Sequence, residues 1–208
     1  PMSDTQFLLY EKVRANERDQ ERRNAIKRKR AGDDLYTDTV DDEVSNANTL
    51  QSFESDGFTL GTDNGPNNSS KRYVAWTWDM GGSNANNTTG SIDSVVRANA
   101  TYGQSIVSYT GTGSTATIGH GLSSAPEWII IKRRDASTNW PVWHTSISDG
   151  TDDFVELNSN GDKVTNEATF FTSTDPTSSV FSVGSSTQTN ANNATHIAYC
   201  WHSVTGYS

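Results

Sequence analysis

A single cysteine, Cys200, occurs in the 208 residues of this chain. One thiol excludes an intrachain disulfide and a zinc–thiolate cluster. Set between Tyr199 and Trp201, it reads as a small strand residue rather than a reactive one, because apolar neighbours suppress thiolate formation. Apolar residues of all kinds make up only 32% of the chain, and no apolar run approaches the roughly 18 residues of a membrane span. No N-terminal apolar segment suggests a secretion signal, so the six Asn-x-Ser/Thr triplets, starting at Asn67, Asn68, Asn86, Asn87, Asn99 and Asn193, read as a by-product of an Asn-, Ser- and Thr-rich composition. Basic charge is scarce outside the first 32 residues. Residues 33–208 hold seven Lys/Arg against twenty Asp/Glu. That balance repels phosphate and excludes general binding to nucleic acid. Two chemical signatures are also missing: a Gly-x-Ser-x-Gly nucleophile elbow and the spacing of an EF-hand calcium loop.

What is present is aromatic and repetitive. Aromatics reach 10%, with six tryptophans, which argues against disorder. The Ser, Thr, Asn and Gly around them suit short strands joined by many turns. Phe58-Thr59-Leu60-Gly61 recurs as Phe181-Ser182-Val183-Gly184, and Tyr73-Val74-Ala75-Trp76-Thr77-Trp78 recurs as His196-Ile197-Ala198-Tyr199-Cys200-Trp201. Every match is displaced by the same 123 positions, which marks an internal repeat. Upstream, Val44-Ser45-Asn46 and Thr49-Leu50 recur as Val164-Thr165-Asn166 and Thr169-Phe170, displaced by 120 positions. Phe7 to Tyr10 shares only a pattern with Trp140 to Trp143, at 133 positions. The segments Ser105 to Gly111 and Glu127 to Asp135 have no equivalent ahead of Phe7. The chain therefore divides into a partial unit over residues 1–97, with a charged insertion at about 14–32, and a fuller unit over 98–208.

The insertion is rich in Glu, Arg, Lys and Gln and predicts a helix. It lacks a sustained a/d heptad, so a coiled coil is not expected. Lys27-Arg28-Lys29-Arg30 closes it, where cations complement the helix dipole; the four are also the candidate surface for docking to an acidic partner. The following Asp33, Asp34, Asp38, Asp41, Asp42 and Glu43 read as a solvated loop rather than a metal site. Elsewhere strands are expected at 57–61, 73–78, 92–96, 104–109, 115–118, 128–132, 140–145, 154–157, 168–171, 180–183 and 196–201. Short strands at even spacing with little helix predict an antiparallel sandwich. Within 73–78 the two-residue period places Val74, Trp76 and Trp78 on one face, read as core. The run 128–132 is apolar on both faces and belongs in the middle of a sheet.

Candidate sites are sparse. His120 lies between glycines and reads as a turn residue. Asp153 and Glu156 lack the context of a glycosidase pair. Arg133, Arg134, Trp140 and Trp143 could make a glycan-binding or partner-binding surface. The competing reading is that both tryptophans pack into the core, as large aromatics do where aliphatics are few. No catalytic residue, metal site or cofactor is indicated.

The Asp56 to Gly61, Tyr73 to Trp76, Ser105 to Gly111, Gly119 to Leu122, Ala125 to Lys132 and Val180 to Gly184 segments resemble a repeated domain of marine bacteriophage proteins, many of them tail-fibre-like or particle-surface proteins. Leu9 to Arg14 is similar to the aromatic strand and Val-Arg that precede Gly-Phe-Thr-Leu-Gly in that family. The resemblance implies a non-enzymatic virion component: a tail fibre or spike, with a trimer as the analogous assembly and host-surface glycan as its ligand. A head decoration or connector protein docked through residues 1–32 is the alternative, and an enzyme acting on surface polysaccharide the third. The expectation is thus a mainly β protein of antiparallel, sandwich-like repeat units with one charged helix near the N-terminus.

Overall fold

The computed structural model describes residues 33–148 and 152–207. The predicted helix at 14–32, with Lys27 to Arg30, lies outside the described residues. Within them the chain is mainly β: β1 (Asp33–Asp34), β2 (Val44–Ser45), β3 (Leu50–Phe53), β4 (Phe58–Leu60), β5 (Ala85–Asn87), β6 (Ser94–Asn99), β7 (Gln104–Thr110), β8 (Ala116–Gly119), β9 (Trp128–Arg133), β10 (Pro141–His144), β11 (Val155–Glu156), β12 (Val180–Val183) and β13 (Thr195–Trp201). One helical turn, α1 (Thr145–Ser148), follows β10. A seven-stranded sheet runs β11-β10-β9-β13-β7-β6-β5, and β12-β8, β3-β4 and β1-β2 form three small two-stranded sheets. All strand pairs are antiparallel.

The last strand occupies the middle of the large sheet. β13 pairs with β7 along one edge and with β9 along the other. The two-residue period then sorts its side chains. Ala198 and Cys200 enter a core with Val107, Ile129 and Ile131, closed by Ile118, Phe181 and Val183 from the β8-β12 layer. Ile197 and Tyr199 enter a second core on the opposite face, with Ile130, Trp140 and Val142. Cys200 is fully buried, and burial pushes its thiol up to about 12.

The second core is roofed by the acidic segment, which is docked rather than solvated throughout. Arg134 holds Glu43 through two hydrogen bonds of 2.7 and 2.8 Å. The Trp140 indole donates to the carbonyls of Tyr36 and Thr39. Lys132 is fully buried and donates from Nζ to Val40 O at 3.0 Å and Thr138 O at 2.7 Å; burial brings its pKa down to about 8. Asp38, Asp41 and Asp42 do face solvent. No group of three or more His, Cys, Asp or Glu side chains placed to hold a metal occurs among the described residues.

Both copies of the repeat keep the same local construction. Gly61 N donates to Thr49 O and Gly184 N to Phe170 O. A side chain at either glycine would run into the backbone of Asn48 or of Ala168 and Thr169. Six residues on, Asn67 Nδ2 donates to Gly61 O at 2.7 Å, and Asn190 Nδ2 to Gly184 O at 2.8 Å. The backbone N–H of each asparagine reaches the carbonyl four residues back, Asp63 or Ser186. The repeat therefore runs through loops that looked merely polar in sequence. The boundary expected near residue 97 falls inside β6, which pairs with β7 along its whole length.

The copies differ in completeness. Asn190 also donates to Ser114 O and accepts from Thr112 N, clasping the β7–β8 turn. Asn67 makes only the first of these three bonds among the described residues, and it is exposed. Asn190→Ala should therefore lower unfolding stability by about 2–4 kcal/mol, and Asn67→Ala by about 1 kcal/mol or less, as read from urea midpoints. Equal losses would contradict the asymmetry.

Asp34 gives a second expectation. It is 1% exposed. Burial pushes its carboxyl up to about 6, against a smaller lowering effect of the Thr49 hydroxyl, with the charges of Asp63 and Asp33 adding to the rise. The folded state thus holds the proton more tightly than the unfolded state. The stability this provides is full below about pH 4 and is lost as pH rises through about 6. Asp34→Asn should stabilise the chain at pH 7.5 by roughly 1–3 kcal/mol, with the gain vanishing near pH 4. A pH-independent effect in thermal melts would refute it.

Candidate functional site

The four residues expected to form a binding surface are separated by the sheet. Trp143 pairs with Ile129 and is buried in the first core, 4% exposed. Trp140 is 0% exposed in the second core. Strand alternation sends them to opposite faces, so they share no surface. Arg133 is tied to Asp135 at 2.7 Å and Arg134 to Glu43. The core reading of the two tryptophans is the one the structure gives.

The other candidates are also engaged in the fold. His120 is buried. Its Nδ1 accepts from Leu122 N, its Nε2 lies 3.1 Å from Thr177 O, and burial lowers its pKa. It closes a turn completed by Gly121 at φ 71°. Asp153 is ion-paired with Lys163 and accepts from Asn166 N, while Glu156 accepts from Asn139.

The aromatic surface lies elsewhere, at residues read as core. Residues 73–78 belong to no strand, and Val74, Trp76 and Trp78 are 56%, 48% and 42% exposed. Their counterparts in β13, Ile197, Tyr199 and Trp201, pack against the sheet. The sequence predicted the extended alternating backbone but not the lack of a surrounding sheet, since periodicity reports faces and not neighbours.

The segment is pinned at its ends. The Tyr73 hydroxyl donates to Asn64 O and accepts from Asn68 N. Beyond Trp78, Asn99 donates to Asp79 O at 2.8 Å, and Arg97 donates twice to Gly81 O, at 3.1 and 2.8 Å. Gly81 adopts φ 65°, which favours glycine. These ties hold the segment beside the large sheet, and a cavity of about 470 Å³ lies between it, the β3–β4 hairpin and the second face of the sheet.

Phe53, Phe58, Tyr73, Trp76 and Trp78 line one wall, and Arg97, Gln104, Ile106, Tyr199 and Trp201 the other. Trp201 stacks on Trp128 at 4.7 Å between centroids, which carries the aromatic surface to the rim, where Trp128 is 40% exposed. Gln104 is 2% exposed, and its Nε2 has no hydrogen-bond partner among the described residues. A buried amide donor without a partner is costly, and this one lies in the wall of the cavity. Glu54 and Asp79 add carboxylates to the lining. The arrangement brings apolar rings, a buried amide and two carboxylates to one space.

No curated protein and no solved structure matches this chain. A family model described as a domain of unknown function, DUF7483, matches residues 6–208. The match spans nearly the whole chain, which therefore belongs to that family of domains of unknown function, DUF7483.

Proposed function

We propose that this chain is a non-enzymatic structural component of a bacteriophage particle, a tail fibre or spike module that projects its β units and holds host-surface saccharide in the aromatic cavity. The observation that supports this reading best is the cavity's composition. Trp76, Trp78, Tyr199 and Trp201 all line one space of about 470 Å³, beside the Gln104 amide, whose Nε2 has no partner among the described residues. Pyranose rings present C–H faces that stack on indole and phenol, and hydroxyls that accept and donate at such fixed polar groups. The exposed rims at Trp78 and Trp128 suit an extended chain of sugars better than an enclosed small molecule. One such site binds modestly, and a homo-oligomeric fibre would gain strength by presenting several copies. The resemblance of the repeat motifs to marine bacteriophage particle proteins supplies the setting.

Titration of the full chain with a panel of neutral and acidic oligosaccharides, followed by tryptophan fluorescence, tests this. Binding by at least one class is expected, with Trp78→Ala and Gln104→Leu each weakening it by about ten-fold, near 1.4 kcal/mol. No binding across the panel, or binding unchanged in both variants, would overturn the saccharide reading.

A further inference from the structure

The first repeat copy has the surface of a domain cut open. Phe181 is 1% exposed in the main core, and its counterpart Phe58 is 36% exposed. Ile197 is 0% exposed and its counterpart Val74 56%. β12 carries β8 along one edge, while β4 pairs only with β3 among the described residues. β13 lies between β7 and β9, while residues 73–78 belong to no strand. Asn190 clasps the β7–β8 turn with two bonds that Asn67 does not make among the described residues. Most of these differences point to one missing piece. In the second unit Phe181, β12, β13 and Asn190 all meet the front half, β7 through β9, while Ile197 is covered by Ile130 of β9 together with Leu35, Trp140 and Val142.

We infer that the first copy is a docking site for the front half of another repeat of this same kind, a β7–β9 segment that enters on both edges of residues 73–78 and beside β4. The occupant follows from the second copy, which already shows the complex. An incoming β9-type strand would pair with 73–78 as β9 pairs with β13, and a β7-type strand would take the other edge. Its glycine turn would meet Asn67 as Gly111 to Ser114 meet Asn190. Main-chain pairing supplies the affinity and the alternating side chains the selectivity, as in other strand additions. Such a contact is heterologous: one unit's front half meets the next unit's back half, so it propagates into an array rather than closing into a pair. It does not rest on saccharide binding: Phe58, Val74 and the whole of 73–78 line the cavity, so an incoming segment and a saccharide would compete for it.

The test uses the full chain and a synthetic peptide of residues 104–133, which spans β7, β8 and β9. Amide hydrogen exchange is measured with and without the peptide. Exchange at residues 73–78 should slow by about ten-fold or more, and Ala75→Pro should abolish the effect, since a central strand tolerates no missing N–H. Residues 73–78 form no strand in the chain alone, so this proline leaves the large sheet intact. A second measurement guards against a peptide that associates with itself. A chain carrying residues 98–139 a second time, ahead of Phe7, should shift tryptophan emission to the blue and protect 73–78 without added peptide. Unchanged exchange at 73–78 in both experiments would overturn the proposal. So would protection confined to β13, which would mean exchange of strands within the second unit, or binding indifferent to Ala75→Pro.

Discussion

The structure depends on the insertion of its final strand between two earlier ones. β7 and β9 are not neighbours; β13 fills the gap, with Tyr199 opposite Ile106 on one side and Ile130 on the other. A central strand satisfies its N–H and C=O groups only when both neighbours are in place. The sheet is therefore complete only once residues far apart in sequence have met, a topology of high contact order. The same insertion fixes both cores. It sends Ala198 and Cys200 toward the β8-β12 layer and Ile197 and Tyr199 toward Trp140 and the docked acidic segment. Buried Lys132 and the Arg134–Glu43 pair then hold that segment against the sheet.

The aromatic cavity follows from the repeat. Trp76 and Trp78 occupy the positions of Tyr199 and Trp201 in the other copy, and the four line one space. The same face of two related elements thus meets across the cavity, one element seated in a sheet and the other outside any strand. Large aromatic rings suit that arrangement, because they retain apolar contact area while partly exposed and carry polar atoms at their edges.

Much of the second unit was legible in sequence, because there each strand has its neighbours within the same stretch of chain. β7, β8, β9, β10, β12 and β13 fall within a residue or two of their expected places, and β9 lies inside the sheet as its two-sided apolar run predicted. The failures share a cause. Residues 73–78 carry the pattern of a buried strand, but they form no strand with the described elements. The expected strand at 168–171 is a turn, because Thr169 and Phe170 spend their carbonyls on the loop after β12 rather than on a ladder. β5, in an Asn-rich stretch with no apolar signal, is a strand because β6 offers an open edge. The docked acidic segment was missed because its anchors, Lys132, Arg134 and Trp140, lie about 90 to 100 residues away. Gln104, the buried amide in the wall of the candidate site, carried no sequence signal at all. Its role comes from lying opposite Trp201 at the mouth of the sheet.

The central claim is that residues 73–78 and β13 are one element in two states, open and complete. Native-state hydrogen exchange on the unmodified chain tests it most directly. β13 amides should exchange only with global unfolding, and those of 73–78 faster by roughly a thousand-fold or more. Comparable protection of the two segments would contradict the account.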